Sequence, residues 1–182
     1  MKSYKTEAVS PVVGVMMMLV VTIIIAAVVS AFAGSSVSGQ EKAPQATIQG
    51  KFSIQTGMEI THMGGDALAT NDLVFTVRNS KVFGPNLEQR TAQVLNKTHI
   101  MDRKNQPLDR GDGSTNVTAL RSGDTFYITA VNCTCSTLQP IVASTDSSLC
   151  FANSDNVGKT FYLDVSDKSG NLISRSEVTI SP

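Results

Sequence analysis

Residues 12–33 read VVGVMMMLVVTIIIAAVVSAFA, a run of twenty-two residues without a charged side chain. As a helix this run would be roughly 33 Å long at about 1.5 Å per residue, against a bilayer hydrocarbon core of about 30 Å. Because the run is apolar on every side, the helix requires lipid or other apolar helices all around it. The chain that follows is polar and strand-like, so the sequence predicts an apolar helical stalk followed by a β head.

Basic side chains precede the apolar run, at Lys2 and Lys5. Positive charge is retained on the cytoplasmic side of a membrane, so we expect the N-terminus inside and the head outside. The whole chain carries 15 basic and 15 acidic residues and has a formal net charge of zero. This balance leaves no basic surface for nucleic acid, which is therefore not expected as a partner.

Short apolar segments separated by turn residues characterise the head. Seven candidate strands cover residues 46–55, 58–63, 73–77, 91–100, 125–131, 159–165 and 172–180. Residues 166–171, SDKSGN, have the composition of a hairpin turn between the last two strands. The predicted fold class is α+β, with a long N-terminal hydrophobic helix followed by an all-β head, for which an Ig-like β-sandwich is the leading architecture.

Three cysteines lie in the head, at Cys133, Cys135 and Cys150. A compartment outside the membrane permits disulfides. Cys133 and Cys135 would share one face of a strand, where a bond between them would close a very small, strained loop. We expect one of these two to pair with Cys150 and the other to stay free or to pair between subunits.

Three sequons for N-linked glycosylation occur, at Asn96, Asn116 and Asn132. Asn116 lies in the most loop-like sequence and is the preferred candidate, whereas a disulfide at Cys133 would interfere with Asn132. Residues 110–112 spell RGD, which we interpret as a solvated turn.

Catalytic chemistry is not indicated by the sequence. His62 and Asp66 lack a nucleophile or a second base, so we interpret His62 as a strand residue ahead of a tight turn. The other histidine, His99, is distant in sequence, and the cysteine spacing is not that of a zinc site. No catalytic residue, cofactor-binding residue or metal ligand is predicted.

Small residues recur every four positions near the end of the apolar run, at Ala26, Ser30 and Gly34, with Ala27 and Ala31 beside them. Small residues on one helix face allow close helix approach in an apolar environment. We expect this face to be used for helix packing.

The start of the run, EAVSPVVGV from Glu7 to Val15, resembles the N-terminus of archaeal type IV pilins. In that family a short charged leader, a class III signal peptide, is removed by a prepilin peptidase. The cut follows a charged residue and a Gly or Ala, directly before the hydrophobic segment. The resemblance implies cleavage between Ala8 and Val9.

A second likeness lies in the head, where residues 62–66, HMGGD, look like the family's H-x-G-G-D strand–turn–strand. One position departs from bacterial type IV pilins, which carry Glu at the fifth mature residue; here that residue is Val13. The resemblance divides the chain into a leader (1–8), a transmembrane or filament-core helix (9–34), a linker (35–45) and an extracellular head (46–182).

The resemblance also implies a function, that of a structural subunit of a pilus-like surface filament used for adhesion. The implied partners are copies of the chain itself in a helical homopolymer, the prepilin peptidase, and a pilus assembly ATPase with its membrane platform. Before assembly the precursor would lie in the cytoplasmic membrane, and afterwards in an extracellular filament.

Two alternatives stay open. An archaellin-like motility filament is the alternative within the same class. A secreted or single-span membrane-anchored β-sandwich binding protein is the alternative of a different class. Residues 31–33, AFA, favour the secreted form because they match a signal peptidase site, although the apolar run exceeds an ordinary signal segment.

Overall fold

The computed structural model describes residues 11–37, 44–138 and 146–182. The chain divides into two compact units, Met1–Lys42 and Ala43–Pro182. The first unit contains the apolar helix, and the second is the head.

Helix α1 spans Pro11–Val37 and contains no acidic residue in its first turn and no basic residue in its last. It continues three residues past Gly34, where the sequence placed its end. A glycine inside a helix costs about 1 kcal/mol relative to alanine but keeps its N–H, so it weakens a helix without terminating it. Val9 and Ser10, predicted to start the helix, lie outside the described residues.

The described part of the head contains nine strands and a short helix. The strands are β1 Ala46–Ser53, β2 Gly57–Gly65, β3 Leu68–Ala69, β4 Leu73–Asn79, β5 Gln93–Val94, β6 Ala119–Leu120, β7 Thr125–Thr129, β8 Thr160–Asp167 and β9 Leu172–Ser181, and the helix is α2 Leu87–Arg90. This arrangement confirms the α+β prediction of a long N-terminal apolar helix followed by a β-rich head.

Seven strands form one hydrogen-bonded sheet in the order β5-β4-β8-β9-β1-β2-β7, and β3 pairs with β6 separately. Neighbouring strands are antiparallel except β1 and β9, which pair in parallel through Phe52 with Ile180 and Ser53 with Ser181. The Ig-like sandwich is not confirmed, because these strands follow one continuous order.

The sheet is curled, and the segment after β5 demonstrates the curl. Leu95 N–H donates to Phe75 O on β4, and six residues later Met101 exchanges hydrogen bonds with Tyr127 on β7. Six residues reach at most about 20 Å, whereas a flat sheet would separate β4 and β7 by five spacings, about 24 Å. The two sides of the sheet therefore approach each other and are joined by residues 95–101.

The core lies on the concave face of this sheet. Alternation places Leu73, Phe75 and Val77 of β4 on the buried side, each at most 2% exposed. Phe161 on β8 stacks on Phe151 with ring centroids 4.0 Å apart. The core therefore joins the sheet to the segment that follows Cys150.

The prediction of a strand over residues 91–100 is wrong apart from β5. Thr91 ends α2, because its N–H and its hydroxyl both donate to Leu87 O. Asn96 then accepts from Thr98 N–H and caps the 3-10 turn Lys97–His99. These local side-chain bonds compete with strand pairing and leave only Gln93–Val94 in the sheet.

The hairpin predicted at residues 166–171 is confirmed between β8 and β9. Asp167 N–H donates to Asn171 O, and the Asp167 carboxylate accepts from the backbone and side chain of Asn171. These bonds from the Asn171 amides lower the pKa of Asp167. The residue types of this segment were therefore sufficient to predict the turn.

Candidate functional site

Helix α1 is the first candidate site, because every side chain described from Pro11 to Ala33 is exposed. Among the described helices it is long and apolar enough to cross a membrane, by length and composition. Thr22, a polar residue within its apolar run, donates its hydroxyl to Leu19 O at 2.8 Å. That bond satisfies the hydroxyl within the helix, as an apolar environment requires.

The small residues predicted to pack helices lie on α1 as the 3.6-residue period requires. Ala26, Ala27, Ser30 and Ala31 are exposed, and Gly34 is helical. Residues four apart follow one another along a helix face, so Ala26 and Ser30 form one row and Ala27 and Ala31 a neighbouring row. The predicted packing face is thus a continuous strip of small side chains.

The predicted cleavage junction between Ala8 and Val9 lies outside the described residues. Linker residues 38–43 also lie outside them, so the description of the head begins at Pro44.

A group of contacts at the start of the head forms what we call the neck latch, made of Gln45, His62, Gly65 and Asp66. Gln45 N–H donates to Asp66 Oδ2 at 3.0 Å, and Asp66 N–H donates to Gln45 O at 2.8 Å. His62 Nε2 lies 3.0 Å from Asp66 O. The latch therefore ties the residue before β1 to the end of β2.

Gly65 is required at this place by its backbone. Its φ is +109°, and a Cβ there would clash with Gln45 O and would lie 2.7 Å from the Cα of Ala46. The predicted turn at residues 64–66 is corrected, because β2 continues through Gly65, which pairs with Ala46 two residues beyond a bulge at Met63. A glycine in a strand permits this close approach of two backbones.

His62 is a strand residue with no exposed surface. Among the described residues its Nδ1 has no hydrogen-bond partner, while Nε2 contacts Asp66 O. Its N–H and C=O pair with Asp124 and Gly123. The histidine and the carboxylate of the H-x-G-G-D segment thus contribute to the neck latch and are not arranged as an acid–base pair.

Cys135 and Cys150 form a disulfide with a Cα–Cα distance of 5.3 Å. Cys133 is the free cysteine, buried near the end of β7, with its thiol 3.6 Å from Ile128 O. Burial raises the pKa of this thiol to about 12. The pairing left open by the sequence is settled in favour of Cys135.

The three sequon asparagines occupy different environments. Asn96 is exposed, while Asn116 and Asn132 are half-buried. Asn116 uses both ends of its side chain, since Oδ1 accepts from Arg110 Nε and Nδ2 donates to Pro107 O.

The RGD segment lies at the tip of a loop closed by a bridge between Asp109 and Thr115. Asp112 accepts from the backbone and the hydroxyl of Ser114, and these bonds lower the pKa of its carboxyl group. The described residues contain no group of three or more His, Cys, Asp or Glu side chains suited to a metal ion.

The sequence patterns did not predict a charge cluster around a buried aspartate in the head. Asp164 on β8 is 3% exposed and receives Arg175 through two bonds of 2.6 and 2.9 Å and Arg78 through one of 2.9 Å. The bond to Asp164 raises the pKa of Arg175. The available signal was an aspartate inside the apolar strand sequence FYLDV, where a buried charge requires a partner.

Residues 7–48 match the family model described as archaeal type IV pilin, N-terminal. The match covers less than a quarter of the 182 residues, from the end of the predicted leader through α1 into β1. No curated protein and no solved structure matches the chain.

Proposed function

We propose that this chain, whose residues 7–48 match the N-terminal segment of archaeal type IV pilins, is a structural subunit of a type IV pilus-like surface filament. The observation that carries the proposal is the combination of that match with a helix whose described apolar side chains are all exposed. In this proposal α1 is the assembly element and the head forms the outer surface.

The exposed helix explains why an apolar partner is required at each stage. Fifteen large apolar side chains from Val12 to Phe32 are exposed on α1. At roughly 1.5–3 kcal/mol for each such side chain, leaving the helix in water would cost on the order of tens of kcal/mol. Lipid satisfies the helix in the precursor, and neighbouring copies of α1 satisfy it in the filament.

In this proposal the helix moves from one apolar environment to another. Because contacts with lipid are exchanged for contacts with protein, the net change in the free energy of apolar burial is small. The small-residue strip at Ala26, Ala27, Ser30, Ala31 and Gly34 would let neighbouring helices approach closely. Contacts between different faces of identical subunits need not close into a ring, so they allow growth of a helical homopolymer.

The same proposal includes processing and transport. A prepilin peptidase on the cytoplasmic side would cut between Ala8 and Val9 and remove the charged leader. An assembly ATPase and a membrane platform would then move α1 out of the bilayer. Adhesion is the proposed role of the finished filament, through the surface of the head.

The first test is the N-terminal residue of the mature protein, determined by mass spectrometry on material sheared from the cell surface. A start at Val9 is expected, since filament assembly keeps the helix and removes the leader. A start at Gly34 would refute the proposal, because α1 would then be a discarded signal peptide.

The second candidate function, a secreted or membrane-anchored binding protein, is supported by residues 31–33, AFA, and by the position of α1 near the N-terminus, where signal sequences also lie. A start at Gly34 would favour its secreted form. An intact Met1 on protein that does not shear off with filaments would favour its anchored form.

A further inference from the structure

A cleft of about 220 Å³ lies where residues 95–101 cross between the two sides of the curled sheet. Its apolar side is formed by Leu95, Ile128 and Leu138, which are at most 4% exposed. Its polar side is formed by Asn132, Ser136 and Thr137. Of these, Ser136 and Thr137, which carry hydroxyl groups, are exposed. The cleft is smaller than the roughly 300–1,000 Å³ pockets of drug-sized ligands, so it suits a group of about one ring.

Two further residues, His99 and Asn96, line this cleft. Within the described chain the buried Nδ1 of His99 has no hydrogen-bond partner. That nitrogen has almost no solvent-accessible surface, so the exposed hydroxyl groups of Ser136 and Thr137 are the polar groups of the cleft that a bound group reaches. Asn96 is one of the three sequon asparagines.

Asn96 differs from the other two sequon asparagines in how its amide is used. Its Oδ1 accepts from Thr98 N–H at 3.0 Å, the residue is exposed, and its Nδ2 donates to no other group among the described residues. At Asn116, by contrast, Nδ2 donates to Pro107 O. The fold therefore presents the amide nitrogen of Asn96 to solvent and holds that of Asn116.

Asn132 differs from Asn96 in how the other residues of its sequon are placed. Its neighbour Cys133 is 3% exposed. The sequon hydroxyl of Thr134 lies 3.0 Å from both Ser136 Oγ and Thr137 Oγ1. The Thr98 hydroxyl makes no hydrogen bond to another group in the described part of the chain.

We propose that Asn96 carries an N-linked glycan and that the first sugar of this glycan lies in the adjoining cleft. The Nδ2 of Asn96 forms a bond to C1 of a lipid-phosphate-linked oligosaccharide, and the bond between C1 and the phosphate oxygen breaks. The lipid phosphate leaves with the bonding electron pair, and the displaced Nδ2 proton passes to a base or to water. No oxidant or reductant is required.

The cleft suits a sugar ring because such a ring has apolar C–H faces and hydroxyl edges. Its C–H face would lie over the small apolar surface that Leu95, Ile128 and Leu138 leave uncovered. Its hydroxyls would bond to the exposed side chains of Ser136 and Thr137. The proposal rests on the proposed function only in requiring that the head lie outside the cytoplasm.

Peptide mass spectrometry on the full chain from the cells that produce it tests the acceptor. Trypsin separates the three sequons, placing Asn96 in residues 91–97, Asn116 in residues 111–121 and Asn132 in residues 122–159. A glycan mass on the first peptide is expected in most copies. An unmodified first peptide overturns the proposal whatever the other two carry.

Matched variants assign the modification to the sequon. Asn96→Gln and Thr98→Ala should both lose the added mass, while Thr98→Ser, which keeps an acceptor hydroxyl, should retain it. Retention in Thr98→Ala would overturn the assignment. The Thr98 variants keep the hydrogen bond from the Thr98 backbone N–H to the Asn96 side chain. They therefore test glycosylation of Asn96 even if Asn96→Gln fails to fold.

Hydrogen exchange tests the position of the sugar. A glycan seated in the cleft should slow exchange in residues 132–138 of the wild-type chain several-fold relative to Thr98→Ala, although those residues are distant in sequence from Asn96. Equal exchange rates there would overturn the seat in the cleft. The N-terminal residue, read in the same spectra, separates this proposal from the filament: a Val9 start with bare Asn96 refutes only the glycan.

Discussion

At the scale of single residues, Gly65 shows how a missing side chain fixes the start of the head. Gly65→Ala would force a side chain into a positive φ and against the backbone of Gln45 and Ala46. We expect the free energy of unfolding to fall by about 1–3 kcal/mol, the usual cost of one residue held in a disfavoured backbone region. Thermal unfolding of the full chain in detergent measures it.

Gly64 provides the matched control for this substitution. It adjoins Gly65 in β2, but a Cβ at Gly64 would meet nothing within 4 Å, and its φ is not in the positive range. Gly64→Ala should therefore unfold near the wild-type temperature. Equal melting temperatures for the two variants would show that the neck latch does not depend on Gly65.

Cys133 gives a pH-dependent prediction. Its pKa is raised by burial to about 12 in the folded head, from an ordinary value near 9. Between these two values the unfolded chain releases a proton that the folded chain keeps, so the head should lose stability as the pH rises above about 9.

The measurement is a series of melting temperatures from pH 7 to 11 for wild type and Cys133→Ala. The wild-type temperature should fall more steeply above pH 9 than that of the variant. The native thiol should also resist alkylation at neutral pH, since the thiolate is the reactive form. Rapid alkylation of folded protein would contradict the buried position.

The sequence indicated which residues of the H-x-G-G-D segment are structural, but not what they contact. The lack of an accompanying catalytic partner indicates strand and turn roles for His62 and Asp66. The contact between Asp66 and Gln45 spans 21 positions. Such a pairing depends on the register of β1 against β2, which local patterns do not contain.

At the scale of elements, α1 leads to a prediction about assembly. Ser30→Leu would place a large side chain in the small-residue strip, and filament yield should fall several-fold because the helices could not approach. Val28→Leu is the control, since Val28 lies about 160° around the helix from Ser30 at 3.6 residues per turn. Filaments sheared from cells would be counted by electron microscopy, with the membrane-bound subunit as the reference.

An equal filament yield for Ser30→Leu and Val28→Leu would refute the packing role of the strip. A fall in the total amount of subunit for Ser30→Leu alone would point to a defect in membrane insertion and would also count against that role.

The elements differ in how far the sequence determined them. The apolar run specified α1, and the residues SDKSGN specified the β8–β9 hairpin, because both depend on neighbours in sequence. The predicted strand at residues 91–100 failed because Asn96 and Thr91 bond to nearby backbone groups. A hydrophobic alternation does not reveal such local competition.

At the scale of the whole molecule, Asp164 joins β8 to β4 and β9 through Arg78 and Arg175. Asp164→Asn would leave two guanidinium groups around a neutral side chain. We expect a loss of about 1.5–3 kcal/mol, the range for hydrogen bonds to a charged group, because the side chains of Arg78 and Arg175 are themselves partly exposed. Denaturant unfolding of the full chain in detergent would measure the loss.

Asp155→Asn serves as the control for this charge change, because Asp155 is an exposed aspartate of the head. It should change stability by no more than about 0.5 kcal/mol. Similar unfolding midpoints for the two variants would mean that the charge cluster does not stabilise the sheet.

The order of the sheet could not be predicted from the sequence. The parallel contact between β1 and β9 joins Phe52 to Ile180, near opposite ends of the head sequence. Side-chain hydroxyls extend that contact, since Ser174 and Ser176 accept from the N–H groups of Ile48 and Gly50. A strand pattern gives the number of strands, while their order depends on such long-range pairing.

The neck latch also has a mechanical consequence. A pulling force applied from the N-terminal side reaches the head at Gln45. There it acts first on the two hydrogen bonds between the backbone of Gln45 and Asp66, and only then on β1. Strand β1 lies between β9 and β2, so a pull on it is resisted by ladders on both sides. A pull from the N-terminal side would therefore load the bonds between Gln45 and Asp66 first and β1, which is paired on both sides, after them.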